Sequence, residues 1–120
     1  MLYGKKIFIT GGAGFIANKI VRYYIENNFI IIYDNFHRDT LTGSGFINHP
    51  KLQVIKGDVL DADLLTKSMK NADVVIHAAG IAGIDTVILT PVHTMQVNMI
   101  GTANALASAN LNRIKDRFID

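Results

Sequence analysis

A chain of 120 residues, 49% of them hydrophobic, can bury one modest core and leaves no room for a second domain. Its 12 Lys and Arg against 10 Asp and Glu give a net charge of +2 with no basic run or face, which argues against nucleic acid as the main partner. The absence of cysteine excludes disulfides and thiolate metal sites and fits a reducing cytoplasm, and the opening MLYGKKIFIT is too short and too broken by glycine for a signal peptide or a membrane span.

KIFIT, residues 6–10, is a short apolar run of the kind that strands covered on both faces show. Three glycines follow within four positions, and then Ile16, Ile20 and Tyr23 or Tyr24 recur at helical spacing. Asn27-Asn28 can take the left-handed conformation that ends such a helix. FIIIYD, 29–34, reads as a second buried strand, and the stretch from Asn35 to Pro50, with Gly43, Ser44 and Gly45, reads as a loop with room for one helical turn. LQVIKGD, 52–58, is the third strand. A short helix follows, with Asp61 and Asp63 at its N-terminus and Lys67 and Lys70 at its C-terminus, as the helix dipole prefers. DVVIHAAG, 73–80, is the fourth strand. The last long helix opens at Pro91, carries Val92, Met95, Met99, Ala103 and Leu106 on an apolar face expected in the core, and runs to about Leu111. DRFID then begins a fifth strand that the chain end at Asp120 cuts short.

Strands alternating with helices imply a parallel sheet, and right-handed crossovers favour the α/β, Rossmann-like doubly wound order 3-2-1-4-5. In that fold the glycine stretch is the turn from the first strand into the first helix. A pyrophosphate there is held by open backbone N–H groups and the helix dipole, and it must come close to the main chain. Gly12-Ala13-Gly14-Phe15-Ile16-Ala17 fits G-x-G-x-x-A, with a second register over Gly11, Gly14 and Ala17. Gly11 and Gly14 are expected to clear the approach, Gly12 to permit the turn, and Ala17 to bring helix and strand close. Asp34 stands 20 positions after Gly14, at the end of the second strand, where a carboxylate accepts from a ribose diol and repels a 2′-phosphate. NAD is favoured over NADP, although Arg38 nearby weakens that preference, and an Asp ending a strand is also a common turn former.

TGGAGFIA, YDN, KGDVLD, VIHAAG and VNMIGTANALASA together, in order and spacing, resemble the N-terminal half of the NAD-dependent epimerase/dehydratase family, extended short-chain dehydrogenase/reductases that act on nucleotide sugars. The resemblance spans Lys6 to Asp120. It implies that Gly11, Gly14, Phe15 and Ile16 line a pyrophosphate site and that Asp34 and Asn35 hold the adenosine ribose. Asp58 and Val59 would meet the adenine, the carboxylate accepting from the exocyclic amine; the other reading of Asp58 is a helix cap, which Asp61 can supply instead. Ala78, Ala79 and Gly80 would let the nicotinamide ribose lie against the main chain, and Asn98 would help fix the active-site end of the cofactor. His77 reads as a hydrogen-bonded, partly buried imidazole rather than a base, and His37, His49 and His93 lack metal-ligand spacing, so no metal is assigned.

Members of that family transfer hydride with a Y-x-x-x-K pair and a Ser or Thr after the fifth strand. The four tyrosines here, Tyr3, Tyr23, Tyr24 and Tyr33, all precede the required position, and Val87 stands where many relatives carry a Ser before the helix Pro. The expectation is therefore the cofactor half of a nucleotide-sugar epimerase or dehydratase, truncated, binding dinucleotide without turnover and meeting a nucleotide sugar only in a full-length parent. A noncatalytic dinucleotide-sensing module and a methyltransferase with a similar first turn are the alternatives. Relatives pair through helices that include the last one here, and an unfinished sheet exposes an edge, so a homodimer or higher species is expected.

Overall fold

The β-branched apolar runs assemble into one parallel sheet. The computed structural model describes residues 2–37, 39–81 and 84–120; Arg38, with its bearing on NADP, lies outside the described residues. The strands are β1 (Lys6–Thr10), β2 (Phe29–Asp34), β3 (Leu52–Lys56), β4 (Val74–His77) and β5 (Arg117–Ile119), in the order β3-β2-β1-β4-β5 that the alternating pattern predicts. The register sets Ile7, Phe8 and Ile9 beside Ile30, Ile31 and Ile32 on one side and Val74, Val75 and Ile76 on the other, so β1 is the hydrophobic centre. Because side chains alternate across a strand, Ile7, Ile9, Ile30 and Ile32 pack on one face and Phe8, Ile31 and Tyr33 on the other.

Helix α1 (Phe15–Tyr24) covers the first face through Ala17 and Val21, with Ile20 and Tyr24 half-buried at its flank. Ile16, expected on that face, is exposed instead, and of Tyr23 and Tyr24 it is Tyr24 that packs toward the sheet. The buried stripe runs one position later than the larger side chains suggest, because Ala17 permits the close approach that the glycine turn requires. On the second face lie α2 (Ala62–Ser68), which buries Leu65, and the long rod that closes the fold. Asp61 caps α2, accepting from the Leu64 N–H at 3.1 Å.

After a helix the sequence reading lacks, α3 (Ile84–Leu89), the rod comprises α4 (Pro91–Met95), a π-helical turn over Gln96–Ile100, and α5 (Gly101–Leu111). The junction residues Gln96 and Gly101 keep right-handed helical dihedrals, so the backbone continues from Pro91 to Leu111 as expected. Its packing is the reverse of the expected one. α5 buries Gly101, Ala105, Ser108 and Ala109, whereas Val92, Met95, Met99, Ala103 and Leu106 face outward, Met95 and Met99 at 61% and 63% exposure. The methionines are therefore not core residues. β3 also departs from expectation: as an edge strand it leaves Gln53, Val54 and Lys56 exposed rather than covered on both faces. No helix or strand is assigned to described residues in the 35–50 stretch.

Asn27 and Asn28 do not end α1 in a left-handed conformation; that geometry belongs to Asn71, beyond α2. Asn28 is instead a buried clamp. Its Oδ1 accepts from the Lys5 N–H at 3.0 Å, and its Nδ2 donates to the carbonyls of Leu2 and Tyr24, each at 3.0 Å. Asn28→Ala strips several main-chain groups of partners at once, so urea unfolding should show a loss of about 2–3 kcal/mol. The exposed neighbour offers a control: Asn27→Ala should stay within about 0.5 kcal/mol of the parent.

Candidate functional site

Two neighbouring parallel strands, β1 and β4, send their crossovers to opposite faces, and the resulting crevice opens at their carboxyl ends. Gly11 turns the chain out of β1 with φ +70, and a Cβ there would lie 2.7 Å from the Ala79 nitrogen. Both the dihedral and the contact demand glycine. Gly12 does not supply the turn; it lies against Ile32, where a Cβ would come within 2.5 Å of the side chain. Gly14 is the N-cap of α1, without a side-chain capping bond, and the first turn carries no acidic residue. The first-turn N–H groups are thus left open to an anion.

Asp34, at the end of β2, is buried and holds this turn in place. Its Oδ2 accepts from the Ala13 N–H at 3.0 Å and its Oδ1 from the Phe36 N–H at 2.6 Å, so the turn-former reading holds alongside any ligand role. Thr40, from the following loop, braces the other side by donating from Oγ1 to the Ala13 carbonyl at 2.8 Å. Asp58 follows β3 and is exposed; its Oδ1 accepts from the Leu60 N–H at 2.9 Å. The main chain beside it is fixed twice. Tyr33 donates its hydroxyl to the Asp58 carbonyl at 2.7 Å, and Asn104 of α5 donates to the Val59 carbonyl at 2.9 Å. Burial, with the nearby Asp61 and Asp58 charges, pushes the Tyr33 phenol up to about 12, so it remains a donor at neutral pH.

These pieces enclose a cavity of about 380 Å³. Gly11, Gly14, Asp34, Asn35, Asp58, Val59, Ala78, Ala79 and Gly80 all line it, which brings together nine of the twelve residues the sequence singles out. Phe15 and Ile16 do not line it. Their side chains are each 72% exposed, and what they can offer a ligand is main-chain N–H. Asn98 is also outside the lining, and it acts on the wall: its Oδ1 accepts from the Ile81 N–H at 2.7 Å and its Nδ2 donates to the Ile81 carbonyl at 3.0 Å. Tyr33, Thr86, Thr90 and His93, none of them assigned to the site from the sequence, also line the cavity. Tyr33 carries a signal, since it directly precedes Asp34; the other three stand in no motif. Among the described residues no cluster of three or more His, Asp or Glu is placed to hold a metal ion, and no helix is long and apolar enough to cross a membrane.

The model of the NAD dependent epimerase/dehydratase family matches residues 7–120. A provisionally named UDP-glucose 4-epimerase of Methanocaldococcus jannaschii is 39% identical over 102 residues, covering 83% of this chain and 32% of the relative. Among solved structures, UDP-N-acetylglucosamine 4-epimerase from Methanobrevibacter ruminantium, in complex with UDP-N-acetylmuramic acid, is 32% identical with a TM-score of 0.87, over 95% of this chain and 36% of that one. The Bordetella bronchiseptica enzyme WbmH in complex with NAD+ is 25% identical with a TM-score of 0.83, over 97% of this chain and 38% of that one. The chain spans about a third of the length of the curated relatives it matches.

His77, at the end of β4, is buried more completely than the sequence suggests, and its Nδ1 lies 2.7 Å from Thr10 Oγ1. Burial lowers its pKa from the ordinary 6.5, and the Asp120 charge opposes this more weakly. The native state therefore binds fewer protons than the unfolded chain once the pH drops below 6.5. The stabilisation is complete above that pH and is lost as the pH falls from 6.5 through the depressed native value. Urea midpoints followed from about pH 7.5 to 5 should show this decline in the parent and a flatter profile in His77→Gln.

Proposed function

The chain belongs to the NAD dependent epimerase/dehydratase family, and on that premise we propose that it is the dinucleotide-binding portion of a nucleotide-sugar epimerase or dehydratase, with NAD as the cofactor. The observation that carries this reading is the continuity of one cavity across the Gly11–Gly14 turn, Asp34 and the Ala78–Gly80 wall, at the carboxyl ends of a doubly wound sheet. The residues suit the group. An uncapped helix start without acidic side chains accepts a pyrophosphate through the main-chain N–H groups of Phe15 and Ile16, over Gly11 and Gly14. Asp34 and Asn35 take the adenosine ribose, Asp58 and Val59 the adenine, and Ala78, Ala79 and Gly80 the nicotinamide ribose, with Asn98 holding the wall through Ile81.

When bound, NAD would supply the acceptor for the hydride that leaves the carbon bearing a sugar hydroxyl, the hydroxyl itself losing a proton. No tyrosine of this chain stands in a Y-x-x-x-K motif, so the reading assigns it binding without turnover; a nucleotide sugar is engaged by a full-length parent. The Asp34 carboxylate repels a 2′-phosphate. Calorimetry should therefore give NAD an affinity at least about tenfold above that of NADP, with no competitive binding of S-adenosylmethionine. Tighter binding of S-adenosylmethionine would transfer the cavity to methyl-transfer chemistry and overturn the proposal.

The outward face of the rod belongs to the same reading. Val92, Met95, Met99 and Ile100 form an exposed apolar stripe continued by Leu106, and a second copy of the chain would cover it. Light scattering at tens of micromolar should report a dimer or larger species. A Met95→Glu, Met99→Glu double variant should move it to monomer, and a monomeric parent would refute this arrangement.

A further inference from the structure

Ala78, Ala79 and Gly80 form one wall of the cavity, yet they carry no side chain that could anchor it. The main chain is tethered instead. The Ala78 N–H donates to the Thr10 carbonyl at 3.0 Å, and the Ala79 N–H donates to Thr10 Oγ1 at 3.2 Å. The position of the Ala79 peptide over Gly11 thus depends on how the Thr10 hydroxyl is oriented, and His77 Nδ1 is the other group bonded to that hydroxyl, at 2.7 Å.

The remaining bonds determine which imidazole nitrogen carries the proton. Thr102 Oγ1 donates to the Asn98 carbonyl at 2.6 Å, and a carbonyl can only accept. Its single proton is spent there, so it presents a lone pair to His77 Nε2 at 3.1 Å. Nε2 must then bear hydrogen. Nδ1 is left bare and accepts the Thr10 proton, while the Thr10 lone pair receives the Ala79 N–H. A continuous chain results, from Ala79 through Thr10, His77 and Thr102 to Asn98, whose side chain holds Ile81 at the far end of the same wall. A second proton on the ring would aim Nδ1–H at Thr10 and leave the Thr10 hydroxyl proton without its acceptor inside the fold. Around the ring stand Thr10 of β1, Thr102 of α5 and the Phe118 ring of β5 at 6.4 Å, and Asp120 is the charge that acts on it.

We propose that His77, neutral and protonated at Nε2 between Thr10 and Thr102, is a positioning residue that fixes the Ala78–Gly80 wall over the Gly11 turn and so sets the grip on the nicotinamide half of the dinucleotide. This rests on the dinucleotide reading of the cavity. The test uses the whole chain and Thr102→Val, a near-isosteric change at a residue outside the cavity lining. Long-range proton–nitrogen spectra of the parent at pH 7 should show a protonated Nε2 and a bare Nδ1. In Thr102→Val, amide exchange at Ala79 should speed up, NAD should bind about tenfold more weakly, and ADP, which lacks the nicotinamide half, should stay within about twofold. A protonated Nδ1, unchanged exchange at Ala79, or equal weakening of NAD and ADP would overturn the positioning role. If the parent bound neither NAD nor ADP, the dinucleotide reading would fall, while the spectra and the Ala79 exchange would still decide the role of His77.

Discussion

At the carboxyl end of β1 the backbone must turn back over the sheet while the chain leaving β4 passes directly above it. Gly11 meets this demand with a left-handed dihedral and no Cβ, so that the Ala78–Ala79 peptide can lie against it. Much of the site follows from this contact. It brings the start of α1 beside the end of β4, fixes the depth of the crevice between them, and requires α1 to sit close on the sheet through Ala17. A larger residue at any of these points would widen the crevice and separate the helix dipole from whatever the crevice holds.

Close packing of this kind leaves main-chain polar groups buried near the turn, and side chains from other elements satisfy them. Asp34 receives the Ala13 and Phe36 N–H groups, Thr40 donates to the Ala13 carbonyl, Tyr33 and Asn104 hold the two residues after Gly57, and Asn98 pairs with both main-chain groups of Ile81. Among the described residues no buried side-chain nitrogen or oxygen lacks a partner. A network satisfied in this way makes the site rigid before a ligand arrives, because moving one loop breaks bonds in a low-dielectric interior. Loops are usually the pliable part of a site; here Ala13, Asp58, Val59 and Ile81 are each bonded to a side chain of a strand or helix.

The strands were legible because β1, β2 and β4 lie inside a parallel sheet, where a segment covered on both faces must be continuously apolar. Glycine spacing and the distance to Asp34 were legible for a similar reason, since they are local consequences of a strand–turn–helix unit. Helix faces were not. Size and hydrophobicity pointed to Ile16, Met95, Met99 and Leu106 as core, yet the helices bury Ala17, Ala105, Ser108 and Ala109. A helix seated closely on a sheet selects small residues at the contact, and the large ones are then left for the outside.

Sequence by itself determined the strand order and the glycine turn, with Gly11, Gly14 and Asp34, because each is set by patterning along the chain or by a spacing that the local backbone must obey, whereas Asn35, Asp58, Val59, Ala78, Ala79 and Gly80 came from the family resemblance. Tertiary structure alone decided which glycine takes the left-handed turn, which helix face is buried, and which partners hold Asp58, Ala79 and His77. Those outcomes depend on distances between segments far apart in the chain. Thr10 and His77 are 67 positions apart, and no pattern of residue types shows that a hydroxyl and an imidazole will meet at 2.7 Å until the β1–β4 register has placed them side by side.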